Sequence, residues 1–471
     1  MFGAELQIGY TGGMSRPPAA DRPPREARFS ELTDSAGLPN EGVVGRPRRN
    51  FLLLTVYHTL LRTGWVFKTE SIVIPAFLDA LGGGPVARGL LPLLSRVTLS
   101  LPPLLFVRPL KILPRKKWAL AACTLGMGLM FAVVAMMWRS GMKSGPVAIG
   151  VFLLCYAAFF FFNGLNQLSA STLQGKLTPV RWRGRLMLSA TVCGAIAAIV
   201  AVVLLLPRWL TAESGRFDLI FGTTALLFAL AGAWSLLLAE PPDAFHEPRR
   251  STLRRFRNVA GVFVVDRRFR LLALVAFLFG TTMVCFPHYQ AVGRERLGLD
   301  MTNLVYWVVV QNIGTAVFSL LIGPLADARG NKLALRWLTI GTAATPAVAI
   351  ALSYAPAIGS AAYVGVFVML GLTPVTFRIV YNFTLEICPR EEQPRYLSAA
   401  ALSLAAPAAL SPLAGLLVRV AGYDAVFLLA AAAMFTAHLL AGRLKEPRGA
   451  VAPPPAVVED DWRTDGMGGT P

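Results

Sequence analysis

The chain has 471 residues, 55% of them hydrophobic and 15% charged, with a formal net charge of +19. Soluble domains carry about a quarter charged residues, so this composition excludes an ordinary soluble fold, and a mean hydropathy of +0.56 fits a surface solvated by lipid. The basic excess does not point to nucleic acid, because it gathers in loops on one side of long apolar segments.

Residues 1–50 are polar and rich in Pro, Gly and Arg, and read as a disordered tail. No short apolar region near Met1 resembles a cleaved signal, so the first spanning helix is expected to direct insertion. Six apolar stretches follow at 52–78, 85–107, 117–138, 146–172, 186–206 and 218–239. An arginine-rich segment, 241–270, separates them from six more at 271–291, 303–325, 333–353, 359–382, 397–419 and 424–442. A bilayer-spanning helix needs about 20 apolar residues, and backbone groups in lipid must pair within their own segment, which makes such runs helices. The expected fold is therefore an all-α polytopic membrane protein with 12 transmembrane helices in two pseudo-symmetric six-helix bundles, 51–240 and 271–442. A basic cytoplasmic linker, 241–270, joins the bundles, and a second polar tail, 443–471, ends the chain.

The loops set the orientation. Even-numbered loops hold Arg108, Lys111, Arg115, Lys116 and Lys117, then Lys176, Arg181, Arg183 and Arg185, the arginines of 249–270, and Arg329, Lys332, Arg336, Arg390 and Arg395. Odd-numbered loops hold only Arg88, Arg139, Lys143, Arg208, Arg216, Arg294, Arg296 and Arg419. Short loops rich in Lys and Arg stay cytoplasmic, so both termini are expected there, in a bacterial inner membrane. An internal echo relates the two groups: Pro179-x5-Arg185 after the fourth stretch matches Pro389-x5-Arg395 after the tenth, each leading into an apolar helix. Parallel repeats of this kind are a transporter architecture.

Between the eighth and ninth stretches the chain reads Gly323-Pro-Leu-Ala-Asp327-Ala-Arg329-Gly330-Asn-Lys332. This resembles the cytoplasmic loop motif Gly-x-Leu-x-Asp-x-x-Gly-x-Lys/Arg of the major facilitator superfamily, and the resemblance covers roughly residues 51–442. It implies secondary transport by alternating access, with Gly323, Asp327, Arg329, Gly330 and Lys332 as a cytoplasmic gate. Lys68-Thr-Glu70 before Pro75, with Leu113-Pro-Arg-Lys-Lys117, is similar to a bacterial branch of the superfamily that implies no substrate. The first-half loop departs from the motif. Val107 and Lys111 stand at its Gly and Asp positions, so a latch there is missing or differently built. The membrane arginine of span four and the Gly-Pro pair of span five, expected in proton-coupled drug exporters, are also missing.

Ionisable and amide groups at membrane depth are costly, and they face a cavity or a partner. His58 and Arg62 share one helix face, with Lys68 and Glu70 further along. Arg96 lies in the second span, Asn163, Asn166 and Gln167 in the fourth, His288 in the seventh, Gln311 and Asn312 in the eighth and Arg378 in the tenth. Arg62 and Arg96 suit an anionic substrate group, since guanidinium forks match carboxylate or phosphate. Glu70 has two open roles. It either exchanges a proton, or pairs with Arg62, Lys68 or Arg96 and ties two helices together.

Four histidines, none in a paired His/Asp/Glu arrangement, and no phosphate-binding Gly-rich loop argue against an enzyme or an ATP-driven pump. Cys123, Cys155, Cys193, Cys285 and Cys388 follow no zinc or disulfide spacing, so no metal or cofactor is expected. The expected partners are a small-molecule substrate, the lipid bilayer and, if Glu70 titrates, protons; the carrier is expected to be a monomer. An organic anion is the expected solute. An exporter of hydrophobic or cationic compounds and a transporter-like sensor without flux are the alternatives.

Overall fold

Proline and glycine mark where each helix begins and stops. In a computed structural model of the chain, residues 47–210, 215–243, 252–389 and 392–446 are described, and every regular element among them is a helix. The tails 1–50 and 443–471, read from sequence as disordered, lie outside the described residues except for 47–50 and 443–446. The first group comprises α1 Pro47–Phe67, α2 Val73–Ala80, α3 Pro85–Ile112, α4 Lys117–Arg139, α5 Pro146–Leu177, α6 Val180–Trp209 and α7 Phe217–Ser235. Pro85 and Pro146 occupy the first helical positions, where a missing N–H costs nothing. α3 stops at Leu113, held extended by Pro114.

The expected linker contains a helix, α8 Thr252–Val265, which packs on α9 Arg267–Gly280 and α16 Gln393–Ala405. The second group continues with α10 Thr282–Leu297, α11 Asn303–Arg329, α12 Asn331–Ser353, α13 Pro356–Ala362, α14 Val364–Leu370 and α15 Leu372–Ile387. After α16 a 3-10 turn at Ala406–Leu410 leads into α17 Ser411–Arg443, whose backbone leaves the helical region at Gly422.

Nine segments among the described residues are long and apolar enough to cross a bilayer, against the twelve expected. α1–α2 carries His58, Arg62, Lys68 and Glu70, which dilute its hydropathy, and it is not among the nine. The run Arg395–Arg443 counts once although it covers the last two expected spans.

Helices 47–235 pack chiefly on one another, as do helices 267–443. In the first group Phe77 of α2 is the hub of an aromatic core. Its ring centroid lies 4.8–5.3 Å from those of Trp138, Phe152, Phe217 and Phe221, one or more from each of α4, α5 and α7. In the second group the Trp307 and Phe367 rings stack at 4.5 Å.

The groups meet where α3 crosses α17 and α10, α2 meets α10, and α6 meets α11. The α3–α17 crossing is backbone on backbone. A methyl on Gly89 would sit 2.5 Å from the Ser411 carbonyl oxygen and 3.1 Å from the Gly415 Cα. Gly89→Ala should therefore cost about 1–3 kcal/mol through overpacking and lower the Tm of the detergent-purified protein by several degrees. Gly150→Ala, with nothing within 4 Å of the added methyl, should leave it unchanged. Equal melting of the two variants would refute the tight crossing.

Candidate functional site: a basic cavity and its two ends

Span one is not a single helix. α1 ends at Phe67, residues 68–72 turn without helical pairing, and α2 resumes at Val73. The break places Glu70 beside α3, at a small pocket lined by Glu70, Ser95 and Arg96, by Tyr156 of α5, and by Met283 and Phe286 of α10. Both helical groups thus contribute walls. The sequence candidates Glu70 and Arg96 meet there.

Arg96 donates from Nη2 to the Met283 sulfur at 2.9 Å and holds its guanidinium 5.5 Å from the Phe377 ring centroid. Among the described residues it has no carboxylate within ion-pair distance, and neither do Arg62 and Arg378. Arg62 packs along Gly194 of α6, and Arg378 of α15 is close enough for its charge to act on Arg62. The two helical groups therefore face each other with like charges. Glu70 does not offset them, because its Oε1 pairs with Lys68 Nζ at 3.3 Å.

The other candidates scatter. Asn166 donates from Nδ2 to Tyr57 Oη and Thr124 Oγ1, each at 2.7 Å, inside the first group, so it holds α1, α4 and α5 together. Asn163 is buried and Gln167 is exposed. Asn312 returns its amide to the Val308 carbonyl of its own helix. Gln311 accepts from Ser71 Oγ at 2.8 Å, a bond between the groups. His58 has a buried Nε2 with no partner among the described residues, and His288 is fully buried with neither ring nitrogen partnered.

The end holding the odd-numbered loops carries a network that sequence reasoning missed. Arg88, only 2% exposed, pairs through Nε with Asp79 Oδ1 at 3.2 Å. Its Nη2 donates to Glu295 Oε1 and to Tyr423 Oη, each at 3.0 Å. Tyr423 donates to Glu295 Oε2 at 2.7 Å, and Gln290 donates to Asp79 Oδ2 at 2.8 Å. Asp79 and Arg88 belong to the first group, Gln290, Glu295 and Tyr423 to the second, so the network staples the groups at that end. The sequence places Arg88 and Asp79 at loop edges, where charges are ordinary, and nothing local marks their burial.

At the opposite end the gate motif sits where α11 passes into α12. Gly330 has φ +89°, which a side chain rarely adopts, and the Glu446 carboxylate lies against it. Glu446 Oε2 accepts from the Lys332 backbone N–H at 2.9 Å, capping α12. Gly323 is half-buried on α11, while Asp327 and Arg329 are exposed. The first group repeats the cap with other neighbours. Glu240 accepts from the backbone N–H groups of Lys116 at 2.9 Å and Lys117 at 2.8 Å, at the start of α4. A carboxylate suits the positive end of a helix. The signal was present in the sequence as Glu240-Pro241 and Glu446-Pro447, one closing each group.

Around Glu240, Lys176 Nζ reaches Glu240 at 3.0 Å and Asp243 at 2.9 Å, and Lys116 Nζ also pairs with Asp243. Partial burial disfavours the charge on Asp243, but the two ammonium groups outweigh it and hold its carboxyl below the ordinary carboxylate value. A lowered carboxyl stabilises the fold above its unfolded value and loses that contribution as pH falls through the folded value. Asp243→Asn should thus cost up to about 1 kcal/mol near neutral pH and nothing in strong acid, measured as Tm against pH; a pH-independent difference would refute the pairing. Arg88→Met leaves Asp79 with no cation and should cost about 3 kcal/mol, read as Tm. Asp79→Asn in that background should restore part of the loss, and no recovery would show that the pair is not what holds the end together.

Residues 294–464 match the model of the Major Facilitator Superfamily. No curated protein matches the chain. Among solved structures, a mutant of nucleoside transporter NupG is similar over 84% of this chain and 100% of its own, at 14% identity and a TM-score of 0.65. A bacterial homologue of the human lysosomal transporter Spinster, inward-facing and occupied, is similar over 84% of this chain and 96% of its own, at 12% identity and a TM-score of 0.56. The family's model thus matches the C-terminal part of the chain, and across 84% of its length the chain, with its multiple membrane-spanning helices, has a fold similar to that of solved transporters.

Proposed function

We propose that the chain carries an organic anion by alternating access between two groups of six membrane crossings, 51–240 and 271–442, with both termini in the cytoplasm of a bacterial cell. The observation that carries this reading is the trio Arg62, Arg96 and Arg378, drawn from both groups and without a carboxylate partner among the described residues. A guanidinium in a cleft of low dielectric binds carboxylate or phosphate strongly. With the basic loops cytoplasmic, the Arg88–Asp79–Glu295 staple sits on the outer side and closes it, and the Gly323–Lys332 loop gates the inner side. The similar fold of a nucleoside transporter makes a neutral polar solute the second reading; arginines with no carboxylate partner among the described residues favour an anion over it. The Lys68–Glu70 pair favours a structural role for Glu70 over proton exchange.

A ligand that binds the folded protein raises its melting temperature by mass action. Screening the purified transporter against organic anions, neutral nucleosides and organic cations should give hits among the anions. Arg62→Gln/Arg96→Gln should weaken those hits about tenfold or more, as expected when charge-assisted hydrogen bonds are lost. Hits confined to neutral or cationic compounds, and unmoved by the double variant, would overturn the anion reading.

A further inference from the structure

Lys68 has surroundings that a lysine rarely finds. It is fully buried. Its ammonium lies 3.3 Å from the Trp65 ring centroid and 4.6 Å from those of Phe159 and Phe160, while Glu70 Oε1 closes the remaining side at 3.3 Å. Three aromatic faces and a carboxylate form the chemistry that recognises ammonium ions. The box also stands at the C-terminal end of α1, where unpaired carbonyls give partial negative charge. In carriers, such helix breaks commonly bind a dissolved Na⁺ or proton.

We propose that Lys68 is a tethered counter-cation: its ammonium fills a cation site built from Trp65, Phe159, Phe160 and Glu70, in the place where a dissolved coupling cation would otherwise bind. Two features explain why the cation is tethered. Arg96 on α3 is the charged group that faces the pair from outside its own segment, and its charge opposes that of Lys68; a free cation would meet the same repulsion and leave. Tyr156 on α5, the titratable group within reach of Glu70, supplies no charge to hold one. A covalent tether keeps the cation at high effective concentration against that field. Exposure differs across the pair, 0% for the Lys68 side chain and 28% for Glu70. The ammonium sits behind the carboxylate, neutralises it permanently, and leaves Glu70 facing the cavity only as a hydrogen-bond acceptor. The carrier then needs no dissolved cation at this site in any state that keeps the pair.

The test reads the site itself and does not depend on the transported solute. Lys68→Ala removes a segment equivalent to n-propylammonium and leaves the box open. The purified variant should melt below the unsubstituted protein. It should regain roughly half of that loss in n-propylammonium chloride relative to sodium chloride at equal ionic strength, by mass action on the vacated site. The unsubstituted protein and Lys68→Ala/Glu70→Gln should show no such selective gain. Absence of the gain in Lys68→Ala, or an equal gain in the double variant, overturns the proposal. If Lys68→Ala does not fold, Glu70→Gln alone decides. It should melt below the unsubstituted protein because it strands a buried ammonium, and Lys68→Met/Glu70→Gln should recover the loss. A Glu70→Gln protein that melts normally overturns the proposal equally.

Discussion

A charge taken out of water must be matched within a few ångströms, and the arrangement of this protein follows from where that requirement is met and where it is not. Breaking a buried pair costs about 3–5 kcal/mol, so matched charges fix the groups that carry them. Lys68 with Glu70, Arg88 with Asp79 and Glu295, and Lys116 and Lys176 with Asp243 are all matched. Arg62, Arg96 and Arg378 have no carboxylate among the described residues. The contrast within one membrane domain separates charges that hold the fold from charges that do not.

The matched charges also divide by position. At one end the Arg88 network crosses from the first helical group to the second. At the other end the ion pairs around Glu240 and the cap by Glu446 stay within their own group. The cavity between carries aromatic and sulfur neighbours, Phe286, Phe377 and Met283, which exclude water without neutralising Arg96.

Much of the fold was legible because lipid leaves a chain few choices. Apolar runs must become helices, and Gly323 to Lys332 stands at the helix junction its pattern implied. Arg96 and Glu70, conspicuous as ionisable groups in apolar runs, line one pocket. Asn166 was equally conspicuous, yet it serves packing, since an amide on a buried face satisfies Tyr57 and Thr124 as well as it would a solute. The Arg88 staple could not be read, because its partners are far apart in sequence and each resembles an ordinary loop charge. Lys68 stands near a helix end, where a long basic chain can snorkel; only the break at 68–72 turns it inward, where Phe159 and Phe160 become its walls. The first crossing stayed ambiguous for a related reason: the charges that make α1 chemically interesting make it a poor hydropathy match.

The paired caps have a mechanical consequence. Glu240 follows the last helix of its group and grips the start of α4, and Glu446 does the same for α12. Each group is thereby fastened end to middle, like a strap buckled back on itself, by carboxylate bonds to backbone N–H groups. Deformation inside a strapped group is stiff. Relative displacement has to be taken up at the bare backbone contact of Gly89 with Gly415, where no side chains interlock, so that crossing is the place in the molecule best suited to act as a pivot.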